Sequence, residues 1–417
     1  MKLVLFLALK QLWARKLLNA IAIGGVALGV LVLIGLNGIM EGFQQKFKGE
    51  ILKVSPHVTV FATELASTET ILERFTGGAT AEHVLHQQPS DRTLRIRRPR
   101  DLIRALAEIP GVEVACGTLD GQAIVSVGAK DRGVSMRGVV PAEQDRCTPM
   151  SGYVKKGSWN DLAVTGDGVV LGVGVADDMG AHVGDRVRIV APGGRPLSLE
   201  VVGIFDAGIP PIDNSRVYVN LTTAQTVLRR PNVVGILDVR LDDPMQAADL
   251  AARIESITGY DSESWQESNA NFLSLFDMQN AIIGFVITAI MVVGGFGILA
   301  IQIMIVLEKT RDIAILRSVG LRRRDILGVF LSQGAVIAIV GAALGDVLGW
   351  RLIKFLGNLD VPSQGLVKSD KFLVYEDPRF YVIGVVFALT LGLLASLLPA
   401  WRGSRVEPVD VLRGQIG

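Results

Sequence analysis

Glu308–Asp325, EKTRDIAILRSVGLRRRD, is a short charged stretch set between two long apolar runs. Before it, no residue from Ala281 to Leu307 carries a charge, and after it none does from Ile326 to Gly345. Each run reaches the roughly 20 residues that cross a bilayer as a helix, so the charged stretch must lie at one membrane surface. Its own punctuation predicts a short helix over Asp312 to Val319. Asp312 sits near the positive N-terminal end, Arg317 near the negative C-terminal end, and Gly320 stands where the helix should stop. Ile313 and Leu316 fall on one side at i, i+3 spacing, while Ile315 and Val319 extend the apolar surface at i, i+4. A helix this short is marginal alone and needs a partner surface. An ordinary interfacial helix would also meet that description.

Working outward, Leu17 to Met40 is a third uncharged run, and Phe380 to Leu398 is a fourth, ending at Pro399. The expected fold class is therefore an α-helical membrane protein with four transmembrane helices, plus a large extracytoplasmic α/β and β-rich domain inserted between helices 1 and 2. A hydrophobic content of 49% over 417 residues and a mean hydropathy of +0.41 agree with a chain that is part membrane and part water-soluble. The first run is too long for a signal-peptide core and lacks a small-x-small cleavage site, so it reads as a retained span.

Lysine and arginine give the orientation. Lys2, Lys10, Arg15 and Lys16 precede the first run, six bases from Lys309 to Arg324 fill the central stretch, and Arg402, Arg405 and Arg413 follow the last run. Those three segments belong in the cytoplasm by the positive-inside rule, which puts the long 41–268 block and the short 356–379 loop outside. The expected order is an interfacial amphipathic helix over 1–16, span 17–40, a two-lobed domain over 41–268 with its β-rich lobe near 115–220, and a stalk and span over 269–307. The charged helix segment 308–325, span 326–355, loop 356–379, span 380–398 and tail 399–417 complete it. A net charge of +1, with arginines at membrane flanks rather than on one folded face, argues against a nucleic-acid partner.

Inside the outer block, HVTVFA alternates as a strand, RDLIRALAEI as an amphipathic helix, and VEVACG again as a strand. Strands follow at 123–127, 134–139, 169–172, 186–190, 197–205 and 216–219. Helices at 222–229 and 244–258 flank a strand at 234–241. The polar and basic passage from Leu65 to Arg100 has little apolar period and reads as an exposed excursion. Cys116 and Cys147 could pair in an oxidising compartment or remain two buried thiols.

Chemistry is sparse. No GxxxxGK[ST] phosphate cradle occurs, so the chain should not hydrolyse ATP itself. Gly172-Val-Gly174 lacks the third glycine and the βαβ repeat of a dinucleotide site and reads as a strand-to-helix turn. Of His57, His83, His86 and His182, only His83 and His86 share a helical face, and they lack carboxylate or thiol partners, so no metal site is expected. No catalytic constellation is visible. Gly25 and Gly29, and Gly341, Gly345 and Gly349, repeat at every fourth position and let helices approach closely, within one bundle or in a dimer. Met40 and Phe43, at the exit of the first span, are candidate walls of a substrate cavity for a lipidic ligand.

MEGFQQKFKGEILKVSPHVTV at 40–60, MRGVVPAEQ at 136–144, KTRDIAILRSVGLRRRDI at 309–326 and LLASLLPAWRGSRVEPVDVLRGQ at 393–415, in this span order, resemble the permease subunits of lipoprotein-releasing ABC transporters, the Lol family. These lie within the wider group that includes the macrolide-exporter permeases. The resemblance implies a non-catalytic inner-membrane subunit with cytoplasmic termini, whose bound cofactors are none, with ATP and Mg in a partner ATPase. Its implied partners are cytoplasmic ABC ATPase subunits, two copies, a second permease subunit identical or paralogous, lipoprotein cargo, a periplasmic lipoprotein chaperone and membrane lipids. It makes Asp312, Ile313, Ala314, Ile315, Leu316, Arg317, Ser318, Val319 and Gly320 the ATPase-coupling helix. Two departures stand out: the long hairpin that one family branch extends to a chaperone is matched only by APGGRP, Ala191 to Pro196, and the 65–100 excursion reads as an insertion. A tripartite-efflux permease for amphiphilic small molecules or peptides, or a non-transporting signal relay, would share the span order.

Overall fold

The four uncharged runs become four long helices, because a backbone in lipid must satisfy its own hydrogen bonds. The computed structural model describes residues 10, 16–62, 95–360, 363–364 and 367–406. The first part of the chain gives α1 Lys16–Val54, β1 Val58–Phe61, α2 Pro99–Ala107, β2 Val112–Val127, β3 Lys130–Val139, β4 Val154–Gly157 and β5 Gly168–Gly172. Next come β6 Arg186–Val190, β7 Leu197–Phe205, β8 Arg216–Asn220, β9 Ile236–Leu241, α3 Ala247–Thr258 and β10 Ser262–Ser264. The rest is α4 Ala270–Glu308, α5 Thr310–Ser318, α6 Arg323–Gly357 and α7 Pro378–Ser404, with a small pair of strands, Ser363–Gln364 and Lys368–Ser369, between the last two helices. Among the described residues α1, α4, α6 and α7 are long and apolar enough to cross a membrane.

Two compact units result. One comprises Met1–Lys46, Ser274–Pro362 and Ser369–Gly417, and the other Phe47–Leu273 and Ser363–Lys368. In the helical unit, glycines set the contacts. Val26, Val30 and Ile34 form an i, i+4 ridge on α1. A Cβ placed on Gly341 would meet Val26 Cβ at 2.7 Å, on Gly345 the Ala27 carbonyl and Val30 Cβ at 2.7 Å, and on Gly349 Ile34 Cδ1 at 2.9 Å. Gly25 faces Gly294 of α4, and Gly29 lies against the Met291 sulfur. The glycine stripes are thus used within this chain's own bundle.

In the strand-rich unit, β2 decides the architecture. Its first half, Val112–Thr118, pairs with β9, and its second half, Leu119–Val127, pairs with β3. The two expected lobes are therefore not separate sheets. One mixed sheet runs β10-β1-β9-β2-β3-β8-β5-β7-β4, with β6 bridging β2 and β7. The β3–β8 and β5–β7 pairs are parallel. All five residues of β5, GVVLG, are buried, as a central strand covered on both faces requires. Val125, Met136, Val169, Leu171, Val187, Ile189, Leu199, Val201, Val217 and Val219 form the core beside it.

The structure adjusts several expectations. α1 does not end at Met40 but continues to Val54, because GFQQKFKGEILKV offers no breaker before Ser55-Pro56, where proline pushes the preceding residue out of helix. α7 passes through Pro399 to Ser404; the helix tolerates one missing N–H where Pro399 and Ala400 are buried. Cys116 and Cys147 are joined in a disulfide. Residues 95–100 leave the expected excursion, since Ile96 is buried, its N–H donates to the Val234 carbonyl at 2.9 Å, and Pro99 opens α2. Most of the interfacial helix expected over 1–16, His83, His86 and most of the 65–100 excursion lie outside the described residues.

Candidate functional site

Local chemistry builds the turn between the second and third spans. Thr310 Oγ donates to the Val306 and Leu307 carbonyls at 2.8 and 2.9 Å, tying the start of α5 to the end of α4. Lys309 and Asp312 pair at 2.7 Å across the first turn, where a carboxylate also suits the helix dipole. At the other end Gly320 takes φ +111°. Its N–H reaches the Arg317 carbonyl and that of Leu321 reaches Leu316, at 3.1 and 3.2 Å, so the last carbonyls are satisfied by a glycine-closed stop. Asp325 then accepts the Arg322 N–H at 3.0 Å and starts α6.

α5 is thereby held with two unlike faces. Ile313 and Ala314 are buried, and Ile313 joins the core of the helical unit with Val306, Ile326, Phe330 and Ala400. Ile315 is 46% and Val319 78% exposed, and with exposed Arg311 they recur at i, i+4, i+8. The apolar residues of this helix therefore divide between two sides and do not make one surface. Exposed Arg322, Arg323 and Arg324 flank the free side. Arg317 is half-buried and donates to the Val406 carbonyl, so it binds α5 to the segment after α7. Asp312 and Ser318 are exposed, and Ser318 Oγ caps the Ile315 carbonyl at 2.7 Å. Leu316 is half-buried.

Near the other end of α1, Met40 is half-buried, and the Phe43 ring meets Phe276 of α4 edge-on at 5.9 Å. Next to it, buried Gln44 donates to Asn280 Oδ1 at 3.0 Å. Phe43 is thus seated between α1 and α4, and the structure does not bring Met40 and Phe43 together with α5.

A polar knot in the bundle is absent from the sequence expectations. Gln302 of α4, fully buried, donates to Ser396 Oγ of α7 at 2.8 Å, and Ser396 Oγ donates to the Gly392 carbonyl at 2.6 Å. Gly334 of α6 leaves room for that hydroxyl. A glutamine inside an otherwise apolar run, with a serine inside another, is the available signal, because polar side chains in spans seek one another.

Residues 19–257 match the MacB-like periplasmic core domain, and residues 284–408 match the FtsX-like permease C-terminal region. The lipoprotein-releasing system transmembrane protein LolC of Neisseria meningitidis is 27% identical, over 98% of each chain. LolE of Haemophilus influenzae is 27% identical over 93% of this chain and 92% of that one. The macrolide export ATP-binding/permease protein MacB of Bdellovibrio bacteriovorus is 23% identical over 97% of this chain but 60% of its own length.

Proposed function

The chain belongs to the MacB-like periplasmic core domain family, and on that premise we propose that it is the permease subunit of an ABC transporter that releases lipoproteins from the outer leaflet of the bacterial inner membrane. What supports the transported class is the likeness to LolC and LolE along nearly the whole chain. MacB, an ATP-binding/permease protein, extends well beyond the matched length, and this sequence holds no Walker A cradle. In this reading ATP hydrolysis with Mg is the work of separate cytoplasmic subunits, two per assembly, beside a second permease chain.

The observation that carries the mechanism is the two-faced α5. Ile313 and Ala314 root it in the spans, while Ile315 and Val319 stand free with Arg311 and the 322–324 arginines around them. Such a surface fits an apolar cleft with an acidic rim on an ATPase subunit. Movement there would pass directly into α4 and α6, which α5 joins. A triacylated anchor must be lifted against about 0.8 kcal/mol for each CH₂ drawn from lipid, so an outside energy source is required. The disulfide in the strand-rich unit supports placing that unit outside the cytoplasm, where such bonds persist.

Ile315→Asp combined with Val319→Asp should reduce co-purification of the ATPase subunit, or its stimulated hydrolysis, by at least about tenfold, the equivalent of ~1.4 kcal/mol. The strand-rich unit should stay folded. Mass spectrometry of the wild-type complex should find acylated lipoprotein. Finding only phospholipid, with no stimulation by a triacylated lipopeptide, would remove the lipoprotein assignment while leaving the permease one.

A further inference from the structure

The loop between α6 and α7 does something its sequence does not announce. Ser363–Lys368 belongs to the strand-rich unit, and the helical unit resumes at Ser369. Val367 is buried there. The Lys368 N–H donates to the Gly208 carbonyl at 2.8 Å. The Lys368 ammonium reaches Asp206 Oδ1 at 2.6 Å and Asp213 Oδ2 at 3.2 Å.

Each wall of this socket has its own support. Asp206 directly follows β7 and also accepts the Gly208 N–H at 3.2 Å. Asp213 closes the short helix Pro210–Asp213, is fully buried, and accepts the Ala207 N–H at 2.8 Å through its other oxygen. Burial pushes the Asp213 carboxyl up, and the Ala207 N–H and the Lys368 charge offset it only in part. Burial also works against charge on Asp206, but the Lys368 ammonium outweighs it and holds this carboxyl below its ordinary value. Desolvation works against the Lys368 charge as well, yet the two carboxylates leave its pKa raised. Emptied of its lysine, the socket would strand a buried carboxylate with one N–H for company, and truncating one partner of such a pair is costly. Among the described residues, Lys368 is the cation paired with both carboxylates.

We propose that Lys368 is a positioning residue: seated between Asp206 and Asp213, it ties the α6–α7 loop to the strand-rich unit and carries movement of those two membrane helices into it. The strand-rich unit is then connected to the spans through a middle segment of this loop as well as through α1 and α4. This inference rests on the reading of the chain as an ATP-driven permease. Lysine suits the task because its compact ammonium sits on a flexible stem and can enter or leave without rearranging the backbone.

Hydrogen exchange on the full chain with its ATPase subunit in nanodiscs tests both halves of the proposal, using wild type, Lys368→Met and Lys368→Arg, with and without Mg-ATP and vanadate. In Lys368→Met, exchange over 363–368 and 206–213 should rise at least tenfold while the rest of the sheet keeps its protection. The nucleotide-dependent exchange difference over β5, β7 and β8 seen in wild type should vanish, with partial return in Lys368→Arg. Unchanged exchange over 363–368 in Lys368→Met would overturn the tie. A nucleotide-dependent difference absent from wild type, or fully retained in Lys368→Met, would overturn the coupling. Failure of the permease reading is separate: the ATPase subunit would not co-purify with wild type at all.

Discussion

In the helical unit, Gly345 of α6 meets Ala27 and Val30 of α1 so closely that a Cβ would come within 2.7 Å of both. In the strand-rich unit, Arg137 of β3 is buried with its guanidinium 2.7 Å from Asp120 of β2 and 3.1 Å from Asp238 of β9. One contact is made of backbone and methyl groups, the other of full charges. The difference follows from the solvent each unit meets. Lipid is as apolar as a side chain, so helices gain from association only by close contact and a few hydrogen bonds. Facing water, a sheet core gains about 25 cal/mol for each Å² of apolar surface it buries, and that gain accommodates an ion cluster at the seam where β2 passes from one half of the sheet to the other.

The largest effect should come from breaking the charged contact. Asp238 is fully buried, and burial raises its pKa while Arg137 pulls it back. Arg137→Met leaves that carboxylate without its cation and should destabilise the strand-rich unit by about 3–5 kcal/mol. Urea unfolding followed by tryptophan fluorescence would measure it, since Trp159 is buried in this unit. Adding Asp238→Asn should return a substantial part of the loss. A loss below about 1 kcal/mol in the single variant would mean that the seam is held by its apolar neighbours and not by charge.

The close contact should break next. Gly345→Leu forces a side chain against Ala27 and Val30 and should cost about 1–3 kcal/mol or more by overpacking. Gly24→Leu, on the same pair of helices but with nothing within 4 Å of its Cβ, is the control and should be nearly neutral. Thermal unfolding in detergent would compare them. Equal effects would show that helix propensity, and not the α1–α6 approach, sets stability here.

These contacts also mark where the sequence is readable. The spans are legible because a long uncharged run has few uses other than crossing a bilayer, and the strands because alternation and Gly or Pro turns bracket them. The end of α1 is not: the apolar run stops near Met40, but a helix ends where its backbone must, at Ser55-Pro56. Dipole logic puts Arg317 in the last turn of the short helix, where it lies, but its bond to the distant Val406 carbonyl cannot be read from the sequence. The exposed face of α5 is half legible. Helical spacing places Ile315 with Val319, but only tertiary packing separates them from Ile313. In the sequence Lys368 is one base in a loop of mixed charge, because its two carboxylates, Asp206 and Asp213, belong to a different and much earlier part of the chain.

The smallest effect should be a pH dependence confined to the strand-rich unit. His57 is buried directly before β1, and its Nδ1 accepts the Leu241 N–H at 3.0 Å, a bond only the unprotonated nitrogen can accept. Burial, and then the nearby Arg240 charge, hold its pKa below 6.5, against a smaller opposing contribution from a hydrogen bond to Leu52. Because the unfolded histidine binds its proton first, its contribution to stability is present above pH 6.5 and is lost as pH falls through that value toward the folded one. Urea midpoints of the strand-rich unit should decline on going from neutral to mildly acid pH, and His57→Gln, which keeps an acceptor but cannot titrate, should flatten the decline. The Gly345 contact has no titrating atom in it, so the difference between Gly345→Leu and Gly24→Leu should be the same at both pH values. If that difference moves with pH as far as the strand-rich unit does, the separation of the two units into a contact-held and a charge-held interior is wrong.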